Sequence, residues 1–155
     1  MIDNSWASPF FQRPLTLGVD LRHPFGLEIS RWHSDVVAGV IAGSKAMIAR
    51  VRPRPESLSL GGKLSPFDAW LLIRGLRTLP LRMRAHESSA LEIARRLQKL
   101  DVVETVCHPG LANRLPAGLN GTSGLFSFIF RDGVDIRAFA DHLKLFKLGV
   151  SWGWT

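Results

Sequence analysis

The 155 residues carry 20 lysines and arginines against 13 acidic residues, a formal net charge of +7, with 46% hydrophobic content and one cysteine. This is enough chain for one domain with a real core, while a lone Cys107 excludes an internal disulfide and suits a reducing cytosol. No apolar run approaches the roughly 20 residues of a membrane span, and Met1-Ile2-Asp3-Asn4 lacks the basic start of a signal peptide, so a cytoplasmic protein without a membrane partner is expected.

In chain order, Val36 to Ala42 is a short β-branched run bounded by Asp35 and Gly43, the pattern of a buried strand. The proline-rich Arg52-Pro53-Arg54-Pro55 reads as a connector. Ser65-Pro66-Phe67-Asp68 has the chemistry of a helix start: a serine N-cap, proline in the first turn and a carboxylate three residues after the cap. Ala90, Leu91, Ala94 and Leu97 recur at helical spacing and predict a second helix from about Leu81 to Leu100. Val102 to Val106 reads as a strand, and Phe126, Phe128 and Phe130 alternate as one face of another. Asp135 then caps a helix whose apolar stripe is Ile136, Phe139, Ala140, Leu143 and Phe146. The whole is an α/β pattern without internal repeats.

Clustered arginines neutralise phosphate, and Arg50, Arg52, Arg54, Arg74, Arg77, Arg82 and Arg84 are the candidates. No helix-turn-helix, zinc or RNA-binding signature accompanies them and acidic residues are interspersed, so they read as a solvated surface and nucleic acid is not an expected partner. His33, His86, His108 and His142 have no metal-ligand spacing, so they are expected to be structural or exposed and no metal is expected. Cys107 has no activating pattern nearby and is expected to be a buried small hydrophobe. Gly121-Thr122-Ser123-Gly124 lacks the lysine of a phosphate loop and precedes a strand, so it reads as a turn.

Six segments, in order, carry a resemblance: Asp3-Asn4-Ser5-Trp6-Ala7-Ser8-Pro9; His33-Ser34-Asp35; Leu64-Ser65-Pro66-Phe67-Asp68-Ala69-Trp70 leading into Arg74-Gly75-Leu76-Arg77-Thr78-Leu79; His86-Glu87-Ser88-Ser89; Gly121 to Phe128; and Val150-Ser151-Trp152-Gly153. Together they resemble the Cys/Met-metabolism family of pyridoxal-phosphate (PLP) enzymes, in its cystathionine β-lyase branch. The resemblance implies the C-terminal half of a fold-type-I (aspartate-aminotransferase-like) PLP enzyme. Residues 1–75 would be a remnant of the large cofactor domain, and 76–155 a truncated small α+β C-terminal domain. The family's glycine-rich phosphate loop and stacking aromatic precede Asp3, and its carboxylate-gripping arginine follows Gly153, so neither is expected within these residues.

The implied activity is carbon–sulfur bond cleavage in transsulfuration and methionine metabolism, cystathionine giving homocysteine, pyruvate and ammonia. A small amino-acid substrate, PLP as cofactor and homo-oligomeric assembly are implied with it; γ-lyase and γ-synthase relatives are not separated. By resemblance, Asp3 pairs with the protonated pyridine nitrogen, its plain alternative being a solvated turn carboxylate. Ser151 and Trp152 correspond to residues near the substrate carboxylate, although a buried tryptophan is more often packing. A non-catalytic pseudoenzyme or a basic interaction module is the competing reading.

One position breaks the frame. The family lysine that forms the Schiff base stands five residues before the histidine of the His-Ser-Asp motif, and here that residue is Glu28. A carboxylate forms no Schiff base, so the chain as written is expected to be catalytically incompetent. The family's phosphate-binding hydroxyls likewise fall at Phe25 and Leu27. One legal coding of Phe25-Gly26-Leu27-Glu28-Ile29-Ser30-Arg31-Trp32 is ttc ggc ctc gaa ata tct cgg tgg. Followed by the c of a histidine codon and read one base later, it gives Ser-Ala-Ser-Lys-Tyr-Leu-Gly-Gly, the family motif without a gap. A compensated pair of one-base slips would therefore account for the whole block. Resequencing the locus is expected to find a base order that yields lysine in the shifted frame; codons that cannot do so would rule the slip out.

Overall fold

The computed structural model describes residues 1–23, 36, 39–51, 64–146, 148 and 149. Three short strands make one sheet in the order β1-β2-β3, in which β1 (Ile2–Asp3) runs parallel to β2 (Leu21–His23) and β2 pairs antiparallel with β3 (Ala42–Gly43). Between β1 and β2 the chain passes through α1 (Ser8–Phe11) and a 3-10 turn at Pro14–Leu17. After β3 come α2 (Lys45–Val51), α3 (Pro66–Leu76) and α4 (Leu79–Leu97). A second, antiparallel sheet pairs β4 (Val103–Cys107) with β5 (Ser127–Phe130), and α5 (Ile136–Asp141) follows. No helix among the described residues is long and apolar enough to cross a membrane.

Locally encoded features form as their residues dictate. Ser65 Oγ accepts the Asp68 N–H at 3.0 Å, which satisfies one orphan donor of α3, and Pro66 costs no hydrogen bond in that first turn. Asp135 Oδ1 does the same for the Ala138 N–H of α5 at 3.0 Å. On α4 the apolar face buries Leu79, Met83, Ala90 and Ala94. Its solvent face carries the exposed Glu92–Arg96 pair at 2.7 Å, which adds little in water.

Three expectations need correction. Of the described residues in the run 36–42, only Ala42 lies in a strand, and Val40 and Ile41 are exposed. The sheet there pairs only two residues, too few to cover a longer strand on both faces. The α5 stripe outruns its helix, which ends at Asp141 where the His142 N–H is shared between the Ala138 and Phe139 carbonyls. Within the helix Phe139 is still used, its ring 4.9 Å edge-on from Phe130, while Phe146 stands exposed. Cys107 is exposed, not buried. A register shift between Val103 and Thr105 reverses the alternation of β4, so Val103 and Val106 turn inward and Cys107 outward.

The core gathers Ala7, Phe11, Leu72, Leu79 and Met83, with Trp6, Phe10 and Leu119 packed against it. The expected boundary after Gly75 falls inside α3, and the core draws residues from both sides of it. The opposite face of α3 is left apolar and open: Phe67 and Trp70 are 66% and 56% exposed with rings stacked at 5.9 Å, beside exposed Ile73 and Leu76. At Gly121 the backbone crosses the Phe11 ring so closely that a Cβ would lie 2.2 Å from its Cε1. Gly121→Ala should therefore lower the free energy of unfolding by about 1–3 kcal/mol or more through overpacking, measured by chemical denaturation. A midpoint equal to the parent's would show that Phe11 moves aside freely.

Candidate functional site

Because β1 and β2 are parallel, with Ile2 opposite Arg22 and Asp3 opposite His23, their carboxyl ends reach the same edge of the sheet. Crevices beyond strand carboxyl ends are where open α/β sheets bind ligands. Asp3 is exposed at that edge, and residue 28 follows the end of β2 by five positions. An aspartate starting a turn bonds the backbone two residues on, and here Asp3 Oδ1 accepts the Ser5 N–H at 2.8 Å. Asn4, buried behind it, donates from Nδ2 to the carbonyls of Ser8 at 3.0 Å and Gln12 at 3.2 Å. These bonds hold Ser8 at φ 55°, a left-handed conformation that is costly outside glycine. Asn4 Oδ1 and Ser5 Oγ are shut off from solvent with no hydrogen-bond partner among the described residues.

The segment from Gly118 to Phe126 braces this turn from a distant part of the chain. Trp6 Nε1 donates to the Leu125 carbonyl at 2.8 Å and the Asn120 N–H to the Phe11 carbonyl at 2.8 Å. Gln12 forms an isolated bridge with Leu119. On the other side, Glu87 Oε1 accepts both the N–H of buried Thr122 at 2.8 Å and its hydroxyl at 3.2 Å. Gly124 lies against His86, where a Cβ would sit 3.2 Å from that of the histidine. Burial, with the Arg82 cation adding to it, holds His86 below the ordinary imidazole value. His108, buried, has its ring edge-on to Phe126 at 5.5 Å, and burial likewise lowers its pKa.

Of the residues singled out in the sequence, Asp3 stands at the sheet edge as described, while Phe25, Leu27, Glu28, His33, Ser151 and Trp152 lie outside the described residues. Gly121 to Gly124 is irregular chain with bends at Gly121 and Gly124 rather than the expected turn. His142 is exposed, with Nδ1 2.6 Å from the Ala138 carbonyl. The structure adds Asn4, Trp6 and Glu87. All three stand in the segments that carry the family resemblance, but nothing local pairs Trp6 with a carbonyl 119 positions away. The fit to PLP is divided. An exposed carboxylate with one oxygen engaged by Ser5 suits a protonated ring nitrogen. For covalent attachment, residues 1–44 offer no lysine, and position 28, where the resemblance would put one, is glutamate.

The family model for Cys/Met metabolism PLP-dependent enzymes matches residues 1–155. The chain is 35% identical to an L-methionine gamma-lyase of Pseudomonas putida, covering 99% of this chain and 40% of that protein. It is 34% identical to a cystathionine beta-lyase of Lactococcus lactis subsp. cremoris, covering 99% and 41%. A crystal structure of cystathionine gamma-lyase from Lactobacillus plantarum complexed with L-serine superposes with a TM-score of 0.83 at 32% identity, over 99% of this chain and 41% of that one. The chain thus spans about two-fifths of the length of these proteins, and its architecture is the α/β C-terminal half of a fold-type-I PLP enzyme.

Glu87→Ala strands both donors of buried Thr122 and is expected to cost about 1–3 kcal/mol. The shift in denaturation midpoint measures it, and no shift would mean that the pair adds nothing to stability.

Proposed function

The chain belongs to the Cys/Met-metabolism family of PLP-dependent enzymes, and on that premise we propose that it carries the C-terminal portion of a carbon–sulfur lyase of the cystathionine β-lyase type. The observation that carries this reading is Asp3, its carboxylate engaged by the Ser5 N–H at the shared carboxyl edge of β1 and β2. A fixed anion there keeps a bound pyridine ring protonated, so that PLP, when held, acts as an electron sink for the reacting carbon. Ser151 and Trp152 complete the proposal as contacts to the carboxylate of a small sulfur-containing amino acid.

The same reading makes the chain as written catalytically silent. Glu28 offers no amine to hold the cofactor or to move a proton from the substrate, and losing such a group costs many powers of ten in rate. The purified chain, given PLP and cystathionine, should release neither pyruvate nor homocysteine, and borohydride should fix no PLP at a specific residue. Repair of the frame across codons 25–32 in the complete gene should restore the adduct. Pyruvate released by the repaired enzyme would mark β-cleavage, and 2-oxobutyrate would instead mark a γ-lyase. A specific borohydride-reducible adduct together with pyruvate release from the unrepaired chain would overturn the proposal.

A further inference from the structure

His108 closes the end of β4 and caps the 3-10 turn at Pro109–Leu111. Its Nδ1 accepts the Gly110 N–H at 2.9 Å, so that nitrogen carries no proton and the neutral ring holds its hydrogen on Nε2. The residue is only 5% exposed, with Nε2 buried and the Ser123 backbone within reach of the ring. Gly110 fits tightly in this place, since a Cβ would meet Leu91 of α4 at 2.7 Å and the His108 ring at 3.0 Å.

We infer that His108 is an acid-sensitive latch: protonation puts a hydrogen on Nδ1 facing the Gly110 N–H, breaks the cap, and loosens the chain from Pro109 to Phe126 that braces the Asp3 turn. Two donors directed at each other form no bond, and a buried imidazolium gains little from water in exchange. The groups facing the ring set the balance. From α4, Glu87 is the one anion that favours the proton, and its carboxylate already accepts two hydrogen bonds from Thr122. The neighbouring α4 cation Arg82 acts on His86, which itself resists protonation. The 121–126 segment carries no charged side chain; it presents the Phe126 ring and the Ser123 backbone, and the backbone of Ser123, like that of His108 itself, favours the proton. Burial outweighs Glu87 and these backbone groups together, and His108 titrates below its ordinary 6.5.

The sign follows from linkage. The unfolded chain binds the His108 proton more readily than the folded one, so this contribution to stability is intact above pH 6.5 and is lost as the pH falls below it. The latch does not depend on PLP or on the lyase reading.

An NMR titration of the full chain from pH 7.5 to 5 tests it. The His108 Cε1–H signal should titrate below 6.5, and the Gly110 amide and Trp6 indole N–H signals should move with the same midpoint. His108→Asn keeps an acceptor at the cap and removes the titration, so the Gly110 and Trp6 shifts should vanish, whereas His86→Gln should leave them in place. A His108 midpoint at or above 6.5, a Gly110 amide indifferent to it, or the same transition persisting in His108→Asn would each overturn the latch. The wild-type titration decides alone if the variant fails to fold.

Discussion

The structure hangs on one carboxylate. Glu87, halfway along α4, takes both donors of a fully buried threonine and thereby fixes a segment with little secondary structure of its own. From there the same segment reaches Phe11 through Asn120 and Trp6 through Leu125, so the first turn of the chain is tied to a helix that lies far later in sequence. A surface carboxylate paired with a surface cation would do little of this. Glu87 acts because its acceptors are spent on groups that water cannot reach.

What could be read from the sequence was what is settled locally. Ser65 and Asp135 cap their helices because a cap needs only three residues, and the spacing of Ala90 and Ala94 lies on one helix face whatever it packs against. Parity failed where one irregularity intervened: the shifted register of β4 reversed the faces beyond it and carried Cys107 into solvent. Length failed at α5, whose apolar stripe continues past the helix end, and in the run before Gly43, where Val40 and Ile41 stand outside the strand. The contacts that build the candidate site lay beyond any local pattern. The motif around Trp6 was visible, but its partner is a backbone carbonyl with no sequence signature.

On the proposed reading, the chain is a frame with one residue reversed in charge. Asp3 and Glu28 are both carboxylates, yet Asp3 would face a cationic ring nitrogen that suits it, while Glu28 would stand where an amine must attack a carbon. Family membership therefore fixes the fold and the cofactor class of the relatives without granting this polypeptide their reaction.

The open face of α3 has a colloidal consequence. A stacked Phe67–Trp70 pair with Ile73 and Leu76 beside it is an adhesive patch that a small protein rarely leaves uncovered. What opposes sticking is the excess of fixed positive charge, +7 at neutral pH, whose repulsion acts over only about 8–10 Å at physiological salt. Solubility is then a contest between a long-range repulsion that salt removes and a short-range attraction that salt does not. Such a chain is expected to disperse in dilute buffer and to cluster as ionic strength rises, or as the pH climbs toward its isoelectric point near 10.7.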